Sequence, residues 1–124
     1  MVRYTLLIYG DETASGDAPP EQLKEIMDGY WAYEAWLAEQ GIKVAGEALL
    51  DTSQATTMRV RDSGSMTTDG PFAETKEQLG GFYLLECDNL DDALEAARRC
   101  PGSTYGSVEV RPVMEFDQPE GAAQ

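Results

Sequence analysis

From Glu21 to Gln40 the apolar residues Leu23, Ile26, Met27, Tyr30, Tyr33 and Leu37 recur at the three- and four-residue spacing of one helix face. Pro20 suits the first helical turn, where an amide hydrogen has no partner to lose, and Glu21 and Glu25 lie near the positive end of the helix dipole. Gly41 supplies the stop. Strand-like runs flank this helix on both sides: Val2 to Tyr9, rich in β-branched, aromatic and leucine residues, and Ile42 to Leu50.

The rest of the chain extends the alternation. Asp11 to Pro20 reads as a polar loop, and Asp51-Thr52-Ser53 as a turn. Ala55 to Arg61 alternates, with Thr57, Arg59 and Arg61 on one side and Thr56, Met58 and Val60 on the other. The turn Asp62-Ser63-Gly64-Ser65 lets Met66 to Asp69 pair back as a hairpin arm. Pro71 cannot donate to a ladder and ends that pairing, and Phe72 to Gln78 forms a polar connection. Leu79 to Cys87 is a further strand. Asp88 to Arg99 is a helix capped by Asn89 or Asp88, with Leu90, Ala93, Leu94 and Ala97 inward and Arg98-Arg99 at its negative end. Ser107 to Glu115 is the last strand, with Val108, Val110 and Pro112 on one side.

The order β-α-β-β-(β)-α-β predicts an α+β fold of the ferredoxin-like, split βαβ kind, with both helices on one face of an antiparallel sheet. The uncovered face mixes Leu, Val, Met and Tyr with Arg and Glu, too apolar to stay wholly wet, so a homodimer is expected. At 124 residues the chain fits one domain, placed at 1–116, followed by a fraying tail at 117–124.

Composition narrows the partners. Nine basic against twenty-three acidic side chains give a net charge of −14, which disfavours nucleic acid and anionic membranes. No apolar run is long enough for a membrane helix, and no cleavage site follows the first strand, so the expected location is cytoplasmic. Cys87 and Cys100 have neither CxxC spacing nor any histidine companion, and are read as buried reduced thiols. There is no histidine at all, no GxGxxG or P-loop, no Ser-His-Asp set and no D-x-D-x-D-G run. No cofactor and no metal are expected.

The string Asp69-Gly70-Pro71-Phe72-Ala73-Glu74-Thr75-Lys76-Glu77-Gln78-Leu79-Gly80-Gly81-Phe82-Tyr83 resembles the signature of the DGPF branch of the YCII-related (YciI-like) family. Leu6 to Tyr9, Gly46 to Leu49, Thr56 to Arg61 and Ser107 to Pro112 support the resemblance, which spans essentially the whole domain. It implies a dimeric α+β barrel with a pocket beside the sheet in each protomer. Relatives are thought to use a His–Asp pair, and one subgroup removes chloride from a hydroxylated aromatic ring. Counting back from the helix-ending glycine puts the family's histidine near Tyr30, so that acid–base pair is missing here. Members of the branch often look like genomic neighbours of extracytoplasmic-function sigma factors, which implies a regulatory link by analogy.

Several residues are candidates for a site. Asp69 offers a carboxylate beside a glycine that admits a ligand to the backbone, and is the candidate catalytic residue; alternatively it only organises the Gly-Pro turn through backbone amides. Glu74 and Lys76 are candidates to clamp that loop or a ligand. Glu34 falls inside the apolar stripe of the first helix, where a carboxylate either serves as an acid or base with a raised pKa or finds a partner; a salt bridge to Arg59, Arg61 or Arg111 is the preferred reading. Tyr30 and Phe72 are read as lining and closing a pocket, with Glu47 and Arg59 on neighbouring strands either lining it too or forming a cross-strand ion pair.

Three functions follow as expectations: a dimeric small-molecule-binding domain with its pocket beside the DGPF turn; a lyase or isomerase acting on a small compound, aromatic and phenolic ones included, with Asp69 as base and Tyr30, Glu34 or Arg59 polarising the substrate; and a protein-interaction module linked to sigma-factor regulation. The absent histidine and absent metal set favour the first.

Overall fold

The computed structural model describes residues 1–117. Its strands and helices are β1 (Val2–Gly10), α1 (Glu12–Gly16), α2 (Pro20–Gln40), β2 (Lys43–Ala48), β3 (Thr56–Arg61), β4 (Gly64–Asp69), β5 (Gln78–Cys87), α3 (Leu90–Arg99), α4 (Gly102–Tyr105) and β6 (Ser107–Pro112). The expected tail lies, from residue 118 on, outside the described residues.

Four strands make one antiparallel sheet in the order β2-β5-β1-β6, which is the split βαβ arrangement expected. The strands β3 and β4 stand apart as a two-stranded hairpin, registered from Thr56↔Asp69 to Arg61↔Gly64. It is an insertion between the second and third strands of the main sheet.

Pairing fixes the two faces. Tyr4, Leu6, Tyr83, Leu85 and Cys87 are buried toward the helices, together with Tyr33 and Leu37 of α2 and Ala93, Ala96 and Ala97 of α3. Tyr33 lies edge-on to Tyr83, ring centroids 5.4 Å apart, and donates its hydroxyl to the Ala96 carbonyl at 2.7 Å, so one tyrosine ties both helices to the sheet. Leu7, Phe82 and Leu84 alternate onto the opposite, helix-free face, beside Glu109 and Arg111.

Helix ends follow their local chemistry. Gly41 adopts φ 66° and returns its amide to Leu37 and Ala38. Asn89 accepts the Asp92 amide at 2.9 Å, resolving the choice of cap in favour of Asn89 over Asp88. Both cysteines are buried free thiols, as expected.

Two local expectations need correction, and one further element joins them. The segment after β1 is not a plain loop: Asp11 accepts the Thr13 amide at 2.9 Å and starts the single turn α1. A second single turn, α4, follows Pro101. In α3 the inward residues are Ala93, Ala96 and Ala97, while Leu90 and Leu94 are about half exposed. The helix sits so close to the sheet that its small residues face inward and its leucines are turned to the rim.

Candidate functional site

The C-terminal half of α2 is clamped to the sheet by Tyr33 and Leu37, but toward its N-terminus Leu23 and Met27 are largely exposed. Between that half and the sheet lies a cleft of about 630 Å³. Its floor is small by sequence. The register sets Gly46 beside Tyr83 and Ala48 beside Gly81, with Ile8 on the other flank of Gly81. A Cβ on Gly46 would stand 2.6 Å from Cδ1 of Tyr83, so a larger residue there would displace that ring. The roof is Ile26, Met27, Tyr30, Trp31 and Glu34, and the ends are closed by α1 and α4.

Tyr30 sits at the inner wall. Its hydroxyl accepts a weak hydrogen bond from the Cys100 thiol at 3.9 Å, and a Cβ on Gly102 would come within 2.9 Å of that oxygen. Burial first, then the neighbouring Cys100, pushes the Tyr30 phenol well above its ordinary value, so it is a neutral hydrogen-bonding group and not a base at neutral pH. Burial likewise raises Tyr83 and the Cys100 thiol.

Glu34 is held between two donors. Lys43 Nζ lies 2.8 Å from one carboxylate oxygen, and the Tyr83 hydroxyl donates to the other at 3.0 Å. The expected arginine partner is therefore replaced by a lysine. Lys43 opens β2 just past the Gly41 stop and points back toward α2, whereas Arg59 and Arg61 lie on the separate hairpin and Arg111 is paired with Glu109 at 3.0 Å.

The mouth of the cleft is organised by Glu12. Its carboxylate accepts the Thr52 amide at 2.8 Å and the Thr52 hydroxyl at 2.7 Å, joining α1 to the turn after β2. Its own amide donates to the Gln78 side chain at 3.0 Å. Sequence reasoning missed Glu12 because it was assigned to a featureless loop; the signal was Asp11 two residues before Thr13, a capping pattern. Tyr83, Trp31 and the small floor residues were also missed as site residues.

Of the residues singled out from sequence, Tyr30, Glu34 and Glu47 line this cleft, and Asp69, Arg59, Phe72, Glu74 and Lys76 do not. Register places Glu47 opposite Phe82, so its side chain alternates toward the helix-free face. Glu47 and Arg59 form no cross-strand pair, because β2 pairs with β5 and β3 pairs with β4. Asp69 ends β4 with an exposed side chain. Gly70 follows at φ 97°, its amide donating to Ala55 at 2.6 Å and its carbonyl accepting from the Thr57 hydroxyl at 2.8 Å. The turn is thus tied to the base of the hairpin by Gly70. Phe72 is 79% exposed and is not part of the cleft lining. Glu74 and Lys76 are exposed in the connection to β5.

Among the described residues no three acidic, cysteine or histidine side chains converge as a metal site. No helix among them is long and apolar enough to cross a membrane.

Fold and cleft together define a small α+β domain with a recess between its longest helix and its sheet. The chain belongs to the YCII-related domain family, whose sequence profile matches residues 2–117. It is 38% identical over 112 residues to an uncharacterised protein of Rhizobium meliloti (strain 1021), covering 89% of this chain and 90% of that one. In three dimensions it is similar to 5-chloro-2-hydroxyhydroquinone dehydrochlorinase (TftG) from Burkholderia phenoliruptrix AC1100, solved with 2,5-dihydroxybenzoquinone, at 14% identity and a TM-score of 0.48, covering 95% and 96% of the two chains.

Proposed function

We propose that this YCII-related domain binds a small molecule in the cleft between α2 and the sheet, and does so as a homodimer. The observation that carries the reading is the cleft itself. Its volume of about 630 Å³ lies within the range of small-molecule sites, and it combines apolar walls with a few convergent polar groups, Tyr30 and Glu34 among them. The small residues Gly46, Ala48 and Gly81 keep its floor open where ordinary strand residues would fill it.

Within this reading Tyr30 offers a neutral phenol and Glu34 a fixed acceptor, while the Glu47 side chain, turned to the helix-free face, leaves only its backbone at the cleft. Asp69, Arg59, Phe72, Glu74 and Lys76 form a separate surface on and after the hairpin, and the proposal does not use Asp69 as a base. Dimerisation is supported by the half-buried Leu7, Phe82 and Leu84 on the helix-free face of the sheet. A reducing, cytoplasmic setting is supported by two buried cysteines kept as free thiols.

A thermal-stability screen of neutral, cationic and anionic ring compounds tests the reading. Ligands of the cleft stabilise the wild type, by about 2.7 kcal/mol at a hundredfold excess over Kd, and lose that effect in Ala48→Trp, which fills the floor. Hits that stabilise both proteins equally would place binding elsewhere.

A further inference from the structure

The lining of the cleft is one-sided in charge. Asp11, Glu12, Glu34, Glu47 and Asp51 belong to it, Glu47 with its side chain turned to the helix-free face, and no lysine or arginine does. Among the described residues, Glu34 alone of these has a cation within 4 Å, the Lys43 ammonium just outside the lining. Glu12 is half-buried, and its side-chain partners are the neutral amide and hydroxyl of Thr52. Among the described residues no cation meets this carboxylate, and Coulomb interactions act more strongly in a half-buried setting than in bulk water. The bond from Glu12 to Thr52 also brings Asp11 and Asp51, their sequence neighbours, to the same end of the cleft. The same lining holds exposed aromatic faces, Trp31 at 67% and Tyr105 at 56% exposure. Such faces attract cations through the ring quadrupole and accept flat apolar bodies.

We propose that the ligand is an organic cation: an apolar, ring-bearing body carrying an amine or other positive group, seated with its charge toward Asp11, Glu12 and Asp51 and its body against Trp31 and Tyr105. This rests on the small-molecule reading above and adds the ligand class to it. Anionic compounds of the same shape are rejected, because no cation in the lining receives them and the chain's net charge is −14.

Calorimetric titration of the full chain with 1-naphthylmethylamine, 1-naphthalenemethanol and 1-naphthoate, matched in ring and differing in charge, tests this at low salt. The amine is expected to bind roughly tenfold or more tightly than the alcohol, a difference of about 1.4 kcal/mol, with no detectable binding of the naphthoate. Added salt narrows the gap. Asp51→Asn reduces the amine's advantage severalfold, and so does Glu12→Gln, whereas Asp62→Asn, which removes the same charge on the hairpin turn, leaves it unchanged. Equal or tighter binding of the alcohol or the naphthoate, blocked by Ala48→Trp, would overturn the charge selectivity and leave the cleft reading standing. An amine preference that responds equally to Asp62→Asn would also overturn it, since the attraction would then be a property of net charge. Failure of all three probes, together with no stabilising compound in the wider screen, would remove the cleft reading itself.

Discussion

The Tyr83 hydroxyl donates to Glu34 at 3.0 Å, joining the central strand of the sheet to the middle of the long helix at the inner edge of the cleft. Tyr83 is 7% exposed, so its hydroxyl has little access to water as a substitute partner. Tyr83→Phe removes one hydrogen bond to a charged acceptor and leaves Lys43 on Glu34. The expected loss is about 1.5–3 kcal/mol in urea unfolding, with the denaturant slope unchanged. Lys43→Met removes an exposed ion pair and costs no more than about 1 kcal/mol. A larger effect for Lys43 than for Tyr83 would reverse this ranking.

Burial raises the phenols of Tyr30, Tyr33 and Tyr83 above their ordinary value of 10.0. In the unfolded chain they ionise at that ordinary value, so the folded state retains protons that the unfolded state releases. The stability tied to them is therefore complete below about pH 10 and falls as pH rises above it, at about 1.4 kcal/mol per pH unit for each phenol. Tyrosinate absorbance should show these three of the six tyrosines titrating only as the circular dichroism of the fold is lost. Titration of all six with the fold intact would contradict this.

Truncations on the helices separate core from rim. Leu37 is fully buried under the sheet, and Leu37→Ala is expected to cost about 2–5 kcal/mol. Leu94 is 47% exposed although its spacing on α3 marks it as inward, and Leu94→Ala should cost much less. Comparable losses at both positions would mean that α3 packs through its leucines after all.

The helix-free face gives a prediction about assembly. Leu84 projects from the middle of that face, next to Thr5 and Ala45 in register. Sedimentation equilibrium should report twice the chain mass for the wild type, and Leu84→Asp should give the monomer while keeping the circular dichroism of the fold. A monomeric wild type at high protein concentration would end the dimer proposal.

The sequence carried the fold well where a strong local signal and the tertiary outcome agree. The helical spacing from Leu23 to Leu37, the Gly41 stop and the Asn89 cap all appear as expected. It failed where a residue's role depends on what crosses it. Leu90 and Leu94 follow a helical stripe, but the close approach of α3 to the sheet selects Ala93, Ala96 and Ala97 instead. The partner of Glu34 depends on Lys43 being carried past it by the turn at Gly41, which no spacing rule reveals. The cleft is legible at Tyr30 and Glu34, on the helix stripe, but not at Gly46 and Gly81, which matter through the side chains they lack and the register that pairs them. Most specific as a family signature, the Asp69-Gly70-Pro71-Phe72 turn leaves the end of the hairpin and lies outside that cleft.

Protein-observed NMR with the naphthyl probes tests the central claim most directly, because it asks where a bound molecule sits. The account predicts shift changes concentrated at Tyr30, Trp31, Glu34, Gly46, Ala48 and Gly81, with the hairpin from Thr56 to Asp69 and the turn after it unmoved. Changes confined to Thr57, Asp69, Gly70 and Phe72, with the floor of the cleft silent, would contradict it.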